Sequence, residues 1–159
     1  MKFLGGICIM NNYSNANGSG YTSEQRKQNV VDTLGKFKRE KSESSVKAML
    51  GNSSIYNVTS LLDIAHQFCG MKFSEQRYAS ARCRIDIADS HLHDAKKHLK
   101  KGDDIAALAY MQCSMNHVSR SMIELKEGCD KKHIDIMFAF EKMYSQTNLF
   151  SRKDFIFFA

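Results

Sequence analysis

Two apolar seams, separated by a short polar turn, are the feature that most constrains how this chain can fold. In the first seam, apolar or small residues recur in alternating steps of three and four, at Tyr78, Ala81, Ile85, Ala88, Leu92, Ala95 and Leu99. In the second seam, the same spacing places them at Leu108, Met111, Met115, Val118, Met122 and Leu125. Helices that pack along their length show this heptad spacing, whereas a β-strand alternates in steps of two. We therefore predict two long antiparallel helices in one hairpin.

The residues at the ends of the seams predict where the two helices begin and end. Ser74 can accept a hydrogen bond as the N-cap of the first helix. Gly102 suits the left-handed conformation that ends a helix, and Asp103 or Asp104 can cap the second helix. Gly128 then ends the second helix. The predicted helices span about 74–101 and 104–127.

Shorter helices are predicted before the hairpin. Thr22 and Gln25 match a capping box, which indicates a helix from there to about Lys41. A short helix follows it. A further helical stretch at 55–69 should stop at Gly70, because glycine often ends a helix.

One more helix is predicted after the hairpin. Asp130 should cap a helix that runs to about Thr147, in which Ile134, Met137, Phe138, Glu141 and Tyr144 stand at helical spacing. The predicted fold is all-α, a helical bundle built on the long antiparallel helical hairpin, with shorter N-terminal helices and one C-terminal helix. One domain is expected for 159 residues. The predicted division is a flexible N-terminal tail at 1–21, a single helical domain at 22–148 and a hydrophobic C-terminal tail at 149–159.

Composition argues against several classes of protein. Apolar residues make up 43% of the chain, which is enough for a core. No apolar run reaches the length of about 18 residues that a membrane-spanning helix needs, and the first residues lack the cleavage site of a secretory signal. The 5 cysteines are widely spaced, without a Cys-x-x-Cys pair. We therefore expect reduced thiols in a cytoplasmic protein rather than a disulfide scaffold.

Charge is the main indication of a partner. Lysine and arginine number 23 against 17 acidic residues, for a net charge of +6 and a pI near 9.1. Such an excess fits nucleic acid, an acidic protein partner or solubility alone. Two groups of cations are placed to contact phosphates, and the alternative for both is an ordinary solvated helix face. The predicted nucleic-acid-binding residues are Lys36, Lys38, Arg39, Lys41, Lys96, Lys97, Lys100 and Lys101.

Histidines gather near the predicted hairpin turn. Arg84, His91 and His98 stand seven residues apart beside the first seam, and Asp94 lies one turn from both histidines. A His–Asp–His group on one helical face can bind a metal ion or act in acid–base chemistry. The alternative is a polar flank whose imidazoles are hydrogen-bonded or solvated. We predict the polar flank, expect no cofactor, and keep His91, Asp94 and His98 as an alternative set of metal ligands.

Cys113 and His117, four residues apart, form a second alternative metal- or thiol-responsive site, since such a pair can share a zinc or copper ion. Helical sensors of the copper- and formaldehyde-responsive repressor type use a Cys and a His at this spacing in the opposite order, and the chain resembles them in that respect. The heptad argues against joining this pair to His91, because it directs Cys113 away from the partner helix. We predict that Cys113 packs as a small residue under another helix.

Arg84 and His91 also fit the spacing Arg-x6-His. In this motif, and in its helical hairpin, the chain resembles the HEPN-type ribonucleases, which carry Arg-x4–6-His. The resemblance implies a helical, often dimeric ribonuclease in which the Arg and His activate a ribose hydroxyl and stabilise the scissile phosphate. The chain departs from the family pattern at Ile85, where a polar residue usually follows the Arg.

The remaining features favour a binding protein. No phosphate-binding loop, nucleophile elbow or His-Glu-x-x-His motif occurs in the sequence. We predict a small, basic, helical binding or adaptor protein without enzymatic activity, a subunit or inhibitor of a nucleic-acid-containing or protein complex. The alternatives are the HEPN-like ribonuclease and the metal- or thiol-responsive regulator. Expected partners are another protein or nucleoprotein complex, nucleic acid, or a second copy of the chain. The apolar residues predicted to dock on a partner are Phe155, Ile156, Phe157 and Phe158.

Overall fold

Helices make up the regular structure of the part of the chain that the computed structural model describes, which is residues 22–51, 54–72 and 75–146. Within these ranges there is no strand. The α-helices are α1 (Ser23–Glu40), α2 (Glu43–Leu50), α3 (Ser54–Lys72), α4 (Ala79–Lys100), α5 (Asp104–Lys126) and α6 (Ile134–Gln146). Short 3₁₀ turns precede α4 and α6, at Gln76–Tyr78 and Lys131–His133. The predicted all-α helical bundle is confirmed.

The predicted hairpin is formed by α4 and α5, which pack closely against each other. Both seams are buried, apart from Leu99, which is partly exposed. Two serine hydroxyls of α5 cross the interface: Ser114 donates to the carbonyl of Ala88 and Ser121 to that of Ala81, each at 2.8 Å. A hydroxyl can reach a backbone carbonyl only where two helices lie close together. These two bonds therefore mark the side of the seam on which α4 and α5 are nearest.

The turn between α4 and α5 follows the predicted chemistry. Gly102 has a φ of 79°, and it is the one described residue with a positive φ. Residues with a Cβ are disfavoured in that conformation, so glycine suits this position. Its amide donates to the carbonyl of Leu99 at 3.1 Å. The carboxylate of Asp103 accepts from the amide of Ala106 at 3.3 Å and caps α5.

Helix α1 begins at the predicted capping box. The hydroxyl of Thr22 accepts from the amide of Gln25 at 3.1 Å, and the Gln25 side chain accepts from the amide of Thr22 at 2.7 Å. The helix then runs antiparallel to α5. Its Asn29 and Thr33 lie against Cys113, and its C-terminal end reaches the hairpin turn.

Helix α3 lies antiparallel to α4 and contacts α6. Near its start, Ile55 shares a surface depression with Leu99, and further along, His66 hydrogen-bonds to Asp89. The start of α3 therefore lies at the same end of the bundle as the hairpin turn. The buried residues of α6 are Met137, Phe140 and Tyr144.

Two predicted helix boundaries were wrong. Helix α3 does not stop at Gly70 but continues to Lys72. A glycine within a helix costs only about 1 kcal/mol relative to alanine, which the packing of the rest of the helix outweighs. Helix α4 begins at Ala79 rather than near residue 74, because the 3₁₀ turn precedes it. The predicted cap, Ser74, lies outside the described residues.

The buried face of α6 includes only some of the residues noted at helical spacing. Phe138 is half exposed and Glu141 partly exposed, whereas Phe140 is fully buried. Helical spacing alone is compatible with either face. The observed set buries an aromatic ring in place of a carboxylate, which avoids the cost of removing a charge from water. Asp130 does not cap α6 directly, since the 3₁₀ turn lies between them.

The cysteines depart from the prediction at one position. Cys69, Cys113 and Cys129 are free thiols, as expected, whereas the buried Cys83 is disulfide-bonded. The prediction of reduced thiols throughout is therefore wrong at Cys83. Separately, none of the described helices combines the length and the apolar character that crossing a bilayer requires.

Candidate functional site

Two basic segments that are far apart in sequence meet at one end of the bundle. One belongs to the last turns of α1 and the other to the last turn of α4. Helix α4 leads directly into the hairpin turn. The C-terminal end of α1 lies beside the same turn, because α1 runs antiparallel to α5. A lysine of α2 joins them there. We term this surface the basic end, and its residues are Lys36, Lys38, Arg39, Lys41, Lys47, Lys96, Lys97, Lys100 and Lys101.

Three adjoining surface depressions connect the two segments. The first lies between Lys41 and the turn at Gly102. It shares Lys47 with the second, and the second shares Leu99 with the third. The cations bordering the third depression are Lys96, Lys97 and Lys100. The depressions therefore join five cations of the basic end into one continuous surface: Lys41, Lys47, Lys96, Lys97 and Lys100. Sequence reasoning missed Lys47, which is a single lysine on a short helix.

The positive charge of the basic end is only partly compensated. All of its cations except Lys41 are exposed. Glu43 pairs with Lys47 at 3.7 Å, but both side chains are in water, where such pairs contribute little. Asp103 and Asp104 lie at the N-terminal end of α5, where their negative charges interact favourably with the positive end of the helix dipole. The basic end thus keeps an excess of accessible positive charge.

A second group, of histidine and arginine side chains, lies partway along the hairpin. The ring centroids of His91 on α4 and His117 on α5 are 5.6 Å apart. Tyr110 is 5.9 Å from His91 and stacks on His98 at 5.2 Å. Three arginines act electrostatically on His117. We term this group the histidine cluster, and its residues are Arg26, Arg84, His91, His117 and Arg120.

Burial keeps both imidazoles of the cluster uncharged. His91 is 7% exposed and His117 only 3%. Burial lowers the pKa of His91 to about 4, with Asp94 opposing the shift and Arg26 adding to it. Burial, followed by the charges of His91 and the three arginines, lowers the pKa of His117 to about 3. Near neutral pH, each ring therefore presents one N–H donor and one acceptor nitrogen.

The prediction that Cys113 faces away from α4 and packs under another helix is confirmed, although its neighbour His117 lies beside His91. The Sγ of Cys113 lies 3.9 Å from the carbonyl oxygen of Asn29 and 3.6 Å from the Oγ1 of Thr33, so Cys113 packs under α1. Residues four apart differ by about 40° around a helix, which lets one reach α1 while the other turns towards α4. Burial also raises the pKa of Cys113, so its thiol stays protonated.

Of the alternative metal ligands, Cys113 and His117 line the same cavity, whereas His91, Asp94 and His98 are not arranged around one ion. In the described part of the chain, no three or more His, Cys, Asp or Glu side chains are arranged to hold a metal ion. His98 stacks on Tyr110, and its Nδ1 lies 3.6 Å from a carboxylate oxygen of Asp103. The nearest imidazole to His91 that the contacts show is His117, not His98.

The alternative ribonuclease pair, Arg84 and His91, falls within the histidine cluster. Arg84 is half-buried, and His91 is enclosed, with a buried Nε2 that has no hydrogen-bond partner. An RNA strand would have to reach this ring between α4, α5 and α1. Ribonuclease activity stays a prediction.

A cavity of about 530 Å³ opens beside His117, between α1, α5 and α6. Asn29 and Thr33 of α1 line its polar side together with His117 and Arg120. Ile123 and Tyr144 line its apolar side. A volume of this size is within the range of small-molecule sites, which are typically about 300–1,000 Å³.

A histidine on α3 and an aspartate on α4 form a hydrogen bond that was not predicted from the sequence. The Nε2 of His66 and a carboxylate oxygen of Asp89 are 2.5 Å apart. This hydrogen bond is the largest cause of the raised pKa of His66, to which the charges of Asp86 and Asp63 add. Both partners are about half exposed, so the pair links two helices without enclosing a site.

Comparison with protein-family models, with curated proteins and with solved structures found no match to this chain. The predicted docking residues at 155–158 and both predicted tails lie outside the described residues. The basic end and the histidine cluster are therefore the two places on which a function can be argued from geometry.

Proposed function

We propose that this chain is a non-enzymatic helical module that binds the phosphate backbone of nucleic acid through the basic end. The observation that carries the proposal is the meeting of two distant basic segments on one continuous surface. Neither segment alone has more than a few cations. Together with Lys47, they present nine cations, eight of them exposed, at a single end of the bundle.

The chemistry of these side chains favours an extended polyanion. Eight of the nine are lysines, whose compact charge on a flexible stem can follow phosphates without fixing their geometry. Phosphate contacts of this kind position a protein on nucleic acid but carry no sequence information. The module would therefore bind many sequences with similar affinity. Within a larger complex, it would act as an adaptor between the nucleic acid and other subunits.

The direct test reverses charge at the hairpin tip. The double variant Lys100→Glu and Lys101→Glu should weaken binding to a short fluorescent DNA duplex or RNA strand by about tenfold or more, because two favourable contacts become repulsive. Fluorescence anisotropy at about 0.1 M salt measures the loss. Circular dichroism should show unchanged helix content, since both lysines are exposed.

The matched control is the double variant Lys131→Glu and Lys142→Glu, which changes the net charge equally on exposed residues outside the basic end. It should change the affinity by less than about threefold. Equal losses for both variants would show that only the net charge matters. Absence of nucleic-acid binding by the unmodified protein, or capture of an acidic protein instead, would contradict the proposal.

A further inference from the structure

Two residues on the face of α4 that points away from α5 are buried. Cys83 stands two positions from Ala81 and two from Ile85, and Ile87 follows Ile85 by two. Residues two apart in an α-helix differ by about 200° in direction, so a helix whose Ala81 and Ile85 face α5 directs Cys83 to the opposite side. Even so, Cys83 is 0% exposed and Ile87 only 2%. We term Cys83 and Ile87 the outward patch of α4.

The outward patch lies away from both helices that pack extensively on α4 in the described ranges, which are α5 and α3. Helix α3 approaches α4 on the side of Asp89, which hydrogen-bonds to His66, and Asp86 on that side is partly exposed. Ser90, one turn beyond Ile87, is exposed. The contacts of the described helices therefore do not account for the burial of the outward patch.

The bonding states of the cysteines identify a partner for this patch. Cys83 is disulfide-bonded, whereas Cys69, Cys113 and Cys129 are free thiols. The sequence contains 5 cysteines, and the fifth is Cys8. Within one chain, the sulfur of Cys83 can therefore be bonded only to the sulfur of Cys8.

The course of α1 brings the N-terminal part of the chain to the level of Cys83. Because α1 runs antiparallel to α5, it starts at the end of the bundle opposite the hairpin turn. The first turns of α4 lie at that end as well, since the carbonyl of Ala81 accepts a hydrogen bond from Ser121 near the end of α5. Residues 9–21, which connect Cys8 to α1, can span up to roughly 45 Å when extended, several times the distance of about 10 Å between packed helices.

We infer that Cys8 and Cys83 form a disulfide and that the apolar residues around Cys8 dock on the outward patch of α4. Packing them against Ile87 removes apolar surface from water on both sides. The bond also closes a long loop, which stabilises the docked arrangement by restricting the unfolded chain. This surface is separate from the basic end, and the inference does not depend on the proposed function. The apolar residues that flank Cys8 are Phe3, Leu4, Ile7, Ile9 and Met10.

Thiol–disulfide exchange should control this docking. A dithiol such as dithiothreitol supplies two electrons and two protons, so that the bond between Cys8 and Cys83 becomes two thiols and the dithiol becomes its own cyclic disulfide. Docking then depends on a few apolar contacts that no covalent bond holds in place. Reduction should therefore uncover Cys83 and Ile87, and oxidation should cover them again.

Peptide mapping of the full chain without a reducing agent tests the bond. The protein is equilibrated with mostly oxidised glutathione, its free thiols are blocked with iodoacetamide in denaturant, and it is digested with trypsin. We expect a fragment in which residues 3–26 are linked to residues 83–84, and we expect reduction to separate the two peptides. Alkylated or glutathionylated Cys83, a link from Cys83 to another described cysteine, or a link between two copies of residues 83–84 would overturn the inference.

Cys8→Ser tests the docking. In this variant, Cys83 should react with a maleimide at least about tenfold faster than the buried Cys113 does, because its cover is no longer held. The midpoint of thermal unfolding should fall by about 5 °C or more, the effect of losing a disulfide. Cys129→Ser, the matched control, removes a free thiol and should change the midpoint by less than about 2 °C. If Cys83 stays as unreactive as Cys113, or if the midpoint does not change, the docking of this segment is overturned.

Discussion

The basic end keeps its positive charge in water, whereas the histidine cluster holds two buried, uncharged imidazoles near arginines. At the basic end, almost every cation is exposed, so each keeps its hydration and salt screens the repulsion between neighbours. In the cluster, His91 and His117 are nearly fully buried beside arginines. An additional proton there would have to be removed from water and placed among like charges, which destabilises the fold.

The difference separates how the two regions respond to their surroundings. Exposed lysines can contact a long anion in many ways, and their combined effect should depend strongly on salt. Buried imidazoles near arginines should respond to pH instead, because protonation places a further charge among like charges away from water.

Acidification should have the largest effect, and it should act through the histidine cluster. The pKa of His91 is lowered to about 4 and that of His117 to about 3, whereas an unfolded histidine titrates near pH 6.5. The unfolded chain therefore binds more protons, so the stabilisation is complete above about pH 6.5 and is lost as the pH falls towards 4. We expect a loss of roughly 2 kcal/mol for each histidine between pH 7.5 and pH 5, measured by urea unfolding.

His117→Gln should reduce this pH dependence by about half, because it removes one of the two buried rings with a lowered pKa. His66 should act in the opposite direction, because Asp89 raises its pKa, so its small stabilisation is present at low pH and is lost as the pH rises. Since that pair is about half exposed, its effect should be only a few tenths of a kcal/mol. Constant stability from pH 7.5 to 5 would contradict the buried, neutral pair.

The shape of the basic end depends on the hairpin turn, and Gly102→Ala tests it. The φ of 79° at this residue should make alanine destabilising by about 1 kcal/mol, through backbone strain alone, since no atom lies within 4 Å of the added Cβ. Gly70→Ala is the matched control, because it adds a Cβ to open space on a helix. It should stabilise the protein by up to about 1 kcal/mol. Thermal unfolding measures the change in stability of both variants, which should be opposite in sign. A change of the same sign in both would contradict the left-handed turn.

The smallest effect is expected from neutralising the lysines of the hairpin tip. The double variant Lys100→Gln and Lys101→Gln should change the free energy of unfolding by less than about 0.5 kcal/mol. Both side chains are exposed, and the lost attraction to the α4 dipole is offset by relief of repulsion. Urea unfolding checks this. A loss of several kcal/mol would mean that these lysines hold the fold together, which would remove the contrast between the two regions.

The sequence predicted the parts of the fold that repeat or follow local chemistry. The heptad spacing identified both seams, and capping residues such as Thr22 and Asp103 marked helix ends correctly. Sequence could not predict contacts that depend on how helices rotate against one another. His117 lies beside His91 because α5 turns it towards α4 while Cys113 faces α1. Its position cannot be found from the spacing of residues on α5 alone.

The basic end shows the same limit in another form. Each basic segment was visible in the sequence, but their meeting depends on the antiparallel course of α1 along α5. Lys47 gave no signal at all, since a single lysine paired with Glu43 on a short helix is typical of any solvated surface. On α6, the helical spacing allowed two buried faces, and only the cost of burying Glu141 decided between them.

The most direct test of the central claim is the salt dependence of nucleic-acid binding. If the basic end contacts phosphates through about half or more of its nine cations, the logarithm of the association constant should fall with the logarithm of the salt concentration at a slope of roughly −4 to −8 on duplex DNA. The Lys100→Glu and Lys101→Glu protein should show a slope smaller by about two. A slope near zero for the unmodified protein, or the same slope for both proteins, would contradict binding through the basic end.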